Sequence, residues 1–200
     1  MKKILIIVDV QNDFCPNGNL AVKDGDLIIP FINKIMKSSE YDFIVATKDW
    51  HPKEHKSFAS NNNKKIGEFI NLNGIEQIMW PDHCIKGTFG AELHPLLNKE
   101  DIDFIFTKGS NKEIDSYSAF FENDLKTKTG LNEFLKAKNV TDIDVVGLAL
   151  DYCVKATAID SQELGYNTSV LLEVTKAVNI NEGDDQRAIT LLKEKNVRVK

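Results

Sequence analysis

Cysteine is scarce in this 200-residue chain, with three residues at positions 15, 84 and 153. An odd set this sparse makes no disulfide framework and fits a reducing compartment, so a cytoplasmic location is expected. Long apolar runs are missing as well, and none approaches the roughly 18–20 residues that a membrane span needs. The opening MKKILIIVDV has two lysines and a short apolar stretch. That stretch stops at Asp9 without a small-residue cleavage site, so it reads as a first buried strand rather than a signal peptide. Positive charge is in deficit, with 25 Lys and Arg against 30 Asp and Glu and a net charge of −5. That argues against an electrostatic nucleic-acid face. Repeats, linkers and low-complexity tracts are absent. What remains is 42% hydrophobic and 28% charged, the composition of an ordinary globular protein, and the length fits one domain over residues 1–200.

Apolar patterning predicts strands at residues 4–8, 43–47, 102–107, 145–150, 168–172 and 197–199. It predicts helices at 27–37, 130–138, 154–164 and 184–195, and a short helix at 92–98. Pro30 suits the first turn of its helix. Residues 50–90 read as a long irregular stretch, and a loop of that length in a small domain is usually functional or disordered. Alternating strands and helices predict an α/β fold, a single doubly wound, mostly parallel sheet of six strands with helices on both faces. Ligands bind such sheets beyond the carboxyl ends of the strands. Asp9, Asp49, Lys108 and Cys153 each fall at or just past one of those ends, on four different strands.

Cys153 follows a buried strand and a two-residue polar turn, which places its thiol on the first turn of a helix. Helix N-termini favour anions, so the thiol is a candidate nucleophile; a buried Cys that only fills space is the other reading. Asp9 is available as its base and Lys108 as a cation between carboxylate and thiol, although the same two residues also make sense as a plain ion pair. Asp49 and His51 lie at i and i+2, so in an extended segment their side chains point the same way. With His83 they make a two-His, one-carboxylate set suited to one divalent ion, Zn²⁺, Fe²⁺ or Mn²⁺. His55 and His94 compete for that role, and His55 is close enough in sequence to support a ligand from behind. Cys84 reads as packing. Phe14, Trp50, Trp80 and Tyr117 fall in loops at the same edge, where a flat ring would stack.

Together these segments resemble the nicotinamidase/pyrazinamidase family of isochorismatase-like hydrolases. The likeness is carried by Asp9-Val10-Gln11-Asn12-Asp13-Phe14 and by Asp49-Trp50-His51-Pro52 with His55 and Ser57-Phe58. It continues through Trp80-Pro81-Asp82-His83-Cys84, Lys108-Gly109, Asp115-Ser116-Tyr117-Ser118 and Gly147-Leu148-Ala149-Leu150-Asp151-Tyr152-Cys153-Val154. The segments recur in family order over most of the chain. The resemblance implies a six-stranded parallel sheet, Cys153 as nucleophile, Asp9 as base and Lys108 as third catalytic member. It implies a metal on Asp49, His51 and His83, with Zn²⁺ favoured, that takes the pyridine nitrogen. Phe14 and Trp80 would sandwich the ring. A cis peptide before Ala149 would set the Ala149 and Cys153 N–H groups as an oxyanion hole. The implied reaction turns nicotinamide and water into nicotinate and ammonia through a thioester, in NAD salvage, with pyrazinamide as a second substrate. Isochorismate-hydrolysing relatives lack the nucleophilic Cys. The chain departs from the pattern at Leu150, where many relatives carry Thr, and at Ala119, where many carry Gly.

Two other functions are compatible with parts of this set. One is an amidase of the same family acting on another small amide or an N-carbamoyl compound, which would need no metal trio. The other is a non-enzymatic redox or metal-binding module, which would leave Asp9 and Lys108 without purpose beside the thiol. The expected partner is a small molecule, with no nucleic acid or membrane; a homo-oligomer is allowed but not required.

Overall fold

A computed structural model describes residues 2–200 and places the apolar run at residues 4–8 in a strand covered on both faces. In chain order the elements are β1 (Lys2–Val8), α1 (Ile29–Met36), β2 (Phe43–Asp49), β3 (Phe69–Leu72), β4 (Ile75–Ile78), β5 (Phe104–Lys108), α2 (Leu131–Ala137), β6 (Val140–Leu148), α3 (Lys155–Glu163), β7 (Asn167–Lys176), α4 (Asp184–Glu194) and β8 (Arg198–Val199). Six of the strands form one sheet in the order β5-β2-β1-β6-β7-β8, with every pairing parallel. The doubly wound α/β expectation is met.

Side chains alternate across β1. Ile4, Ile6 and Val8 enter a core with Leu131 and Leu135 of α2, Ala158 of α3 and Leu192 of α4. Leu5 and Ile7 enter a second core with Ile29, Ile32 and Met36 of α1. Covering on both faces is why the strand reads as a continuous apolar run instead of an alternating one. Each such side chain contributes roughly 1.5–3 kcal/mol by leaving water.

From β1 the chain winds outward through β2 to β5, then returns to the other side of β1 and continues through β6, β7 and β8. The winding reverses between β1 and β6, and the carboxyl ends of these two adjacent strands flank the crevice that results. Gly147, near the end of β6, has φ +112°, and a Cβ there would sit 2.2 Å from the Val8 carbonyl oxygen. Only glycine lets these two strands approach so closely.

Three expectations are corrected. Residues 50–90 are not irregular throughout: β3 and β4 form an antiparallel hairpin whose tip, Asn73-Gly74, has positive φ at both residues. Residues 92–98 are not helical. Leu93 bridges Gln11 in antiparallel fashion, and the His94 N–H donates to the Val10 carbonyl, so tertiary bonds hold the segment open. Cys153 lies in a wide π-type turn, Leu150–Val154, that precedes α3, rather than in a regular first helical turn. Asp49 is the last residue of β2 itself.

Candidate functional site

The four strand-end residues meet. Lys108, at the end of β5, places its Nζ 2.9 Å from Asp9 Oδ2 and 3.5 Å from Cys153 Sγ. The same Nζ donates to a carboxylate oxygen of Asp49 and, at 2.7 Å, to the Ser116 carbonyl. Asp9, Asp49, Lys108 and Cys153 are all buried. An oxygen of each carboxylate and the Cys153 sulfur lie within 4.8 Å of one another. Two anions and a thiol thus share one ammonium in a buried site.

That crowding sets the protonation states. Burial opposes the charge on Lys108, yet Asp49 and Asp9 outweigh it and hold the ammonium well above the usual lysine range. Burial likewise opposes the charge on Asp49, but Lys108 and His51 keep its carboxyl below the ordinary range. Asp9 goes the other way: burial pushes it up to about 6, against the pull of Lys108. Burial also raises the Cys153 thiol well above its ordinary value, with Lys108 opposing and the two carboxylates adding to the rise. The resting pair at neutral pH is therefore thiol and carboxylate, with no standing thiolate. Asp9 is equipped to receive a proton. The Thr47 hydroxyl donates to its Oδ1 at 2.6 Å, while Oδ2 receives no aligned hydrogen bond.

The other oxygen of Asp49 faces two imidazoles, 3.7 Å from His51 Nε2 and 4.0 Å from His83 Nε2. Both rings are pinned from behind. Nδ1 of His51 lies 2.8 Å from the Gly109 carbonyl, and Nδ1 of His83 lies 2.8 Å from the Pro81 carbonyl. A carbonyl can only accept, so each Nδ1 carries the proton and each Nε2 turns a lone pair toward Asp49. His51 Nε2 is buried with no hydrogen-bond partner. Burial pushes His83 down to about 4 and keeps it neutral; for His51 burial acts the same way but Asp49 outweighs it and raises the ring. The buried, unpartnered His51 Nε2, the His83 Nε2 and an Asp49 oxygen lie within 4.8 Å of one another, the spacing of groups that can share a cation. The donor set fits a divalent metal ion.

His55 lies next to the ligand set, with ligand atoms of His51, His55 and Asp115 within 4.8 Å of one another. It packs against the His51 ring at 4.3 Å between centroids, while its Nδ1 bonds to the Ser57 hydroxyl. The partners that orient the ligand rings are carbonyls of Gly109 and Pro81. His94 lies apart, on a different pocket. Cys84 is fully buried, and its N–H is held by Asp13 Oδ2 at 2.7 Å, which fixes the turn carrying His83.

Beside these groups runs a narrow cleft lined by Phe14, Trp80, Tyr117, Asp49, His83 and Cys153. Leu20, Asp115, Ala149, Tyr152 and Val178 complete it. Trp80, Tyr117 and Tyr152 form an edge-to-face wall, with Tyr152 4.9 Å from Trp80 and 5.5 Å from Tyr117. Phe14 stands edge-on to His83 at 5.5 Å. Trp50 stays outside the cleft, with its ring under the Lys48 ammonium. The Leu148–Ala149 peptide is cis. Leu150 and Ala119 are buried in the core and do not line the cleft.

Sequence reasoning missed several contributors. Gln11 donates to the Asp49 and Ala91 carbonyls and accepts from the Asp49 N–H, so it clamps the end of β2. Tyr152, next to the thiol, and Asp115 also went unassigned. All three lie inside the quoted motifs, and adjacency to named residues was their only signal.

An open α/β sheet with a buried Cys–Lys–Asp cluster and a metal-ligand set at its switch point defines a cysteine hydrolase type of site. The chain belongs to the isochorismatase family: the model of the isochorismatase domain matches residues 3–199. It is 42% identical to the nicotinamidase of Escherichia coli over 188 residues, covering 93% of this chain and 88% of that one. The solved Acinetobacter baumanii nicotinamidase pyrazinamidease superposes with a TM-score of 0.95 at 43% identity, over 99% of this chain and 95% of that one. A Pyrococcus horikoshii pyrazinamidase solved in complex with zinc matches with a TM-score of 0.80 at 31% identity, over 100% and 99% of the two chains. No helix among the described residues is long and apolar enough to cross a membrane.

Proposed function

We propose that this chain is a nicotinamidase, hydrolysing nicotinamide to nicotinate and ammonia through a thioester on Cys153. The observation that carries the reading is the single buried ammonium of Lys108 shared by Asp9, Asp49 and Cys153 beside an aromatic cleft. Support also comes from nicotinamidases among its relatives, and from the core placement of Leu150 and Ala119, which keeps both departures out of the cleft lining.

The flat ring enters between Phe14 and Trp80, with its carboxamide toward the thiol. Asp49, His51 and His83 would hold one divalent ion, with Zn²⁺ favoured; when bound, it supplies a Lewis-acid anchor for the ring nitrogen. Asp9 Oδ2 takes the Cys153 proton as the sulfur bonds to the amide carbon. The carbonyl oxygen gains the charge, which the N–H groups of Ala149 and Cys153 receive. Asp9 returns its proton to the nitrogen as the C–N bond breaks and ammonia leaves. Water then attacks the thioester, giving a proton to Asp9; the C–S bond breaks, nicotinate departs and Cys153 recovers its proton. Lys108 keeps its charge throughout and offsets the anion wherever it resides.

The test is ammonia release from nicotinamide by purified protein, before and after a chelator and metal add-back, with Cys153→Ala alongside. Turnover that chelation abolishes, Zn²⁺ restores and the variant lacks supports the reading. No release under any metal rejects nicotinamide, and turnover retained by Cys153→Ala rejects the nucleophile. Pyrazinamide should be hydrolysed as well.

A further inference from the structure

The β3–β4 hairpin lies outside the sheet, yet it sends one fully buried polar side chain toward the aromatic wall. Gln77, on β4, is 2% exposed. Its Nε2 lies 2.8 Å from the Ile78 carbonyl, 3.0 Å from Asp115 Oδ2 and 3.3 Å from the Tyr117 hydroxyl. Carbonyl and carboxylate oxygens only accept, so the amide turns its NH₂ toward them; its two hydrogens serve the Ile78 carbonyl and Asp115, and the Tyr117 hydroxyl, the farthest of the three acceptors, shares one of them. Trp80 Nε1 donates to that same Tyr117 hydroxyl at 3.1 Å. An indole N–H has no acceptor role, so the hydroxyl oxygen is the common acceptor that joins Gln77 to Trp80.

We infer that Gln77 is a positioning residue for ring capture: it holds the Tyr117 hydroxyl where Trp80 can bond to it, and so sets the tilt of the Trp80 face in the cleft. The inference rests on the aromatic-amide reading of the site. Gln77 is not among the cleft-lining residues and takes no part in the chemistry. Its influence reaches substrate through Tyr117 and Trp80, which are 6.5 Å apart and nearly perpendicular. Asp115, held by the same amide and by the Ser116 N–H, lines the cleft at the opposite end of this bond chain. A hairpin with no catalytic residue thereby decides how well a flat ring is gripped.

The test uses Gln77→Met, which keeps length and loses the donor, Tyr117→Phe, which removes the shared acceptor, and the double variant. For nicotinamide hydrolysis by the metal-loaded enzyme, Gln77→Met should raise KM by up to about tenfold, the worth of one net hydrogen bond, with kcat within about twofold. Tyr117→Phe should raise KM likewise. The double variant should be no worse than the worse single one, because both break one chain. Independent, multiplicative losses or an unchanged KM in Gln77→Met would overturn the inference. A second readout needs no turnover. In a Trp50→Phe background Trp80 is the only tryptophan. Its emission maximum should shift in Gln77→Met and in Tyr117→Phe in the same direction, and an emission unmoved by Gln77→Met would reject the link. If the parent protein releases no ammonia from nicotinamide while the shift is present, the substrate reading fails and the positioning stands.

Discussion

Gly109 and His51 are built for each other: the Gly109 carbonyl receives the imidazole Nδ1 at 2.8 Å, and a Cβ on Gly109 would lie 2.4 Å from His51 Cε1. Gly109 also has φ +65°, in the left-handed region. Gly109→Ala should therefore push the ring off its station and strain the backbone, lowering stability by roughly 1–3 kcal/mol. Metal content per chain, measured by elemental analysis, should fall well below one. Full metal occupancy in the variant would show that this carbonyl does not set His51.

Lys108 balances two buried carboxylates, so Lys108→Met should cost stability as well as turnover. Leaving Asp9 and Asp49 without their common cation should destabilise the fold by roughly 3–5 kcal/mol. Adding Asp9→Asn should recover part of that stability and none of the activity. Denaturant unfolding read beside ammonia release separates the two effects; activity returning with stability would mean that Lys108 only holds the fold together.

Asp9 must be ionised to accept the thiol proton, and burial has moved it up to about 6. As pH falls through that value kcat/KM should drop, approaching tenfold per pH unit, while circular dichroism stays unchanged. Asp9→Asn should lower the rate by roughly 10²–10⁴ and erase this acid limb. An acid limb surviving in Asp9→Asn would assign the titration to another group.

Glu122 supplies a pH effect away from the chemistry. Its Oε2 is buried without a partner, and burial, with Asp124 adding, pushes the carboxyl up to about 7 from an ordinary 4.5. The folded state holds the proton above the pH at which the unfolded chain loses it. Its contribution is therefore full below about pH 4.5 and lost as pH rises through about 7. Glu122→Gln never ionises, so its melting temperature should exceed the parent's above pH 7, and the gap should close toward pH 4.5. Parallel curves over that range would exclude Glu122 as the source.

Much of this site could be read in the chain because strand ends are marked by simple chemistry. A run such as Ile4 to Val8 can stop only where a polar residue such as Asp9 stops it, and four such stops of complementary type point to one crevice. The hairpin was lost for a local reason: Asn73-Gly74 is a strong turn signal, but its flanking strands are four residues each and too short to show a period. The helix expected at residues 92–98 failed because bonds to Val10 and Gln11 hold that segment open.

Residue types and their order along the chain were enough to predict the parallel α/β sheet and to put forward Cys153, Asp9 and Lys108 at its strand ends, because short-range patterning is recorded directly in sequence. The choice of Asp49, His51 and His83 over His55 and His94 came from the likeness to the family. Only tertiary structure decided the protonation of the site, the tautomers of His51 and His83, and the part played by Gln77. Those properties come from burial and from partners distant in sequence, such as Asp9 against Lys108 and Gln77 against Tyr117. A chain read in one dimension carries no measure of which distant groups will share a buried site.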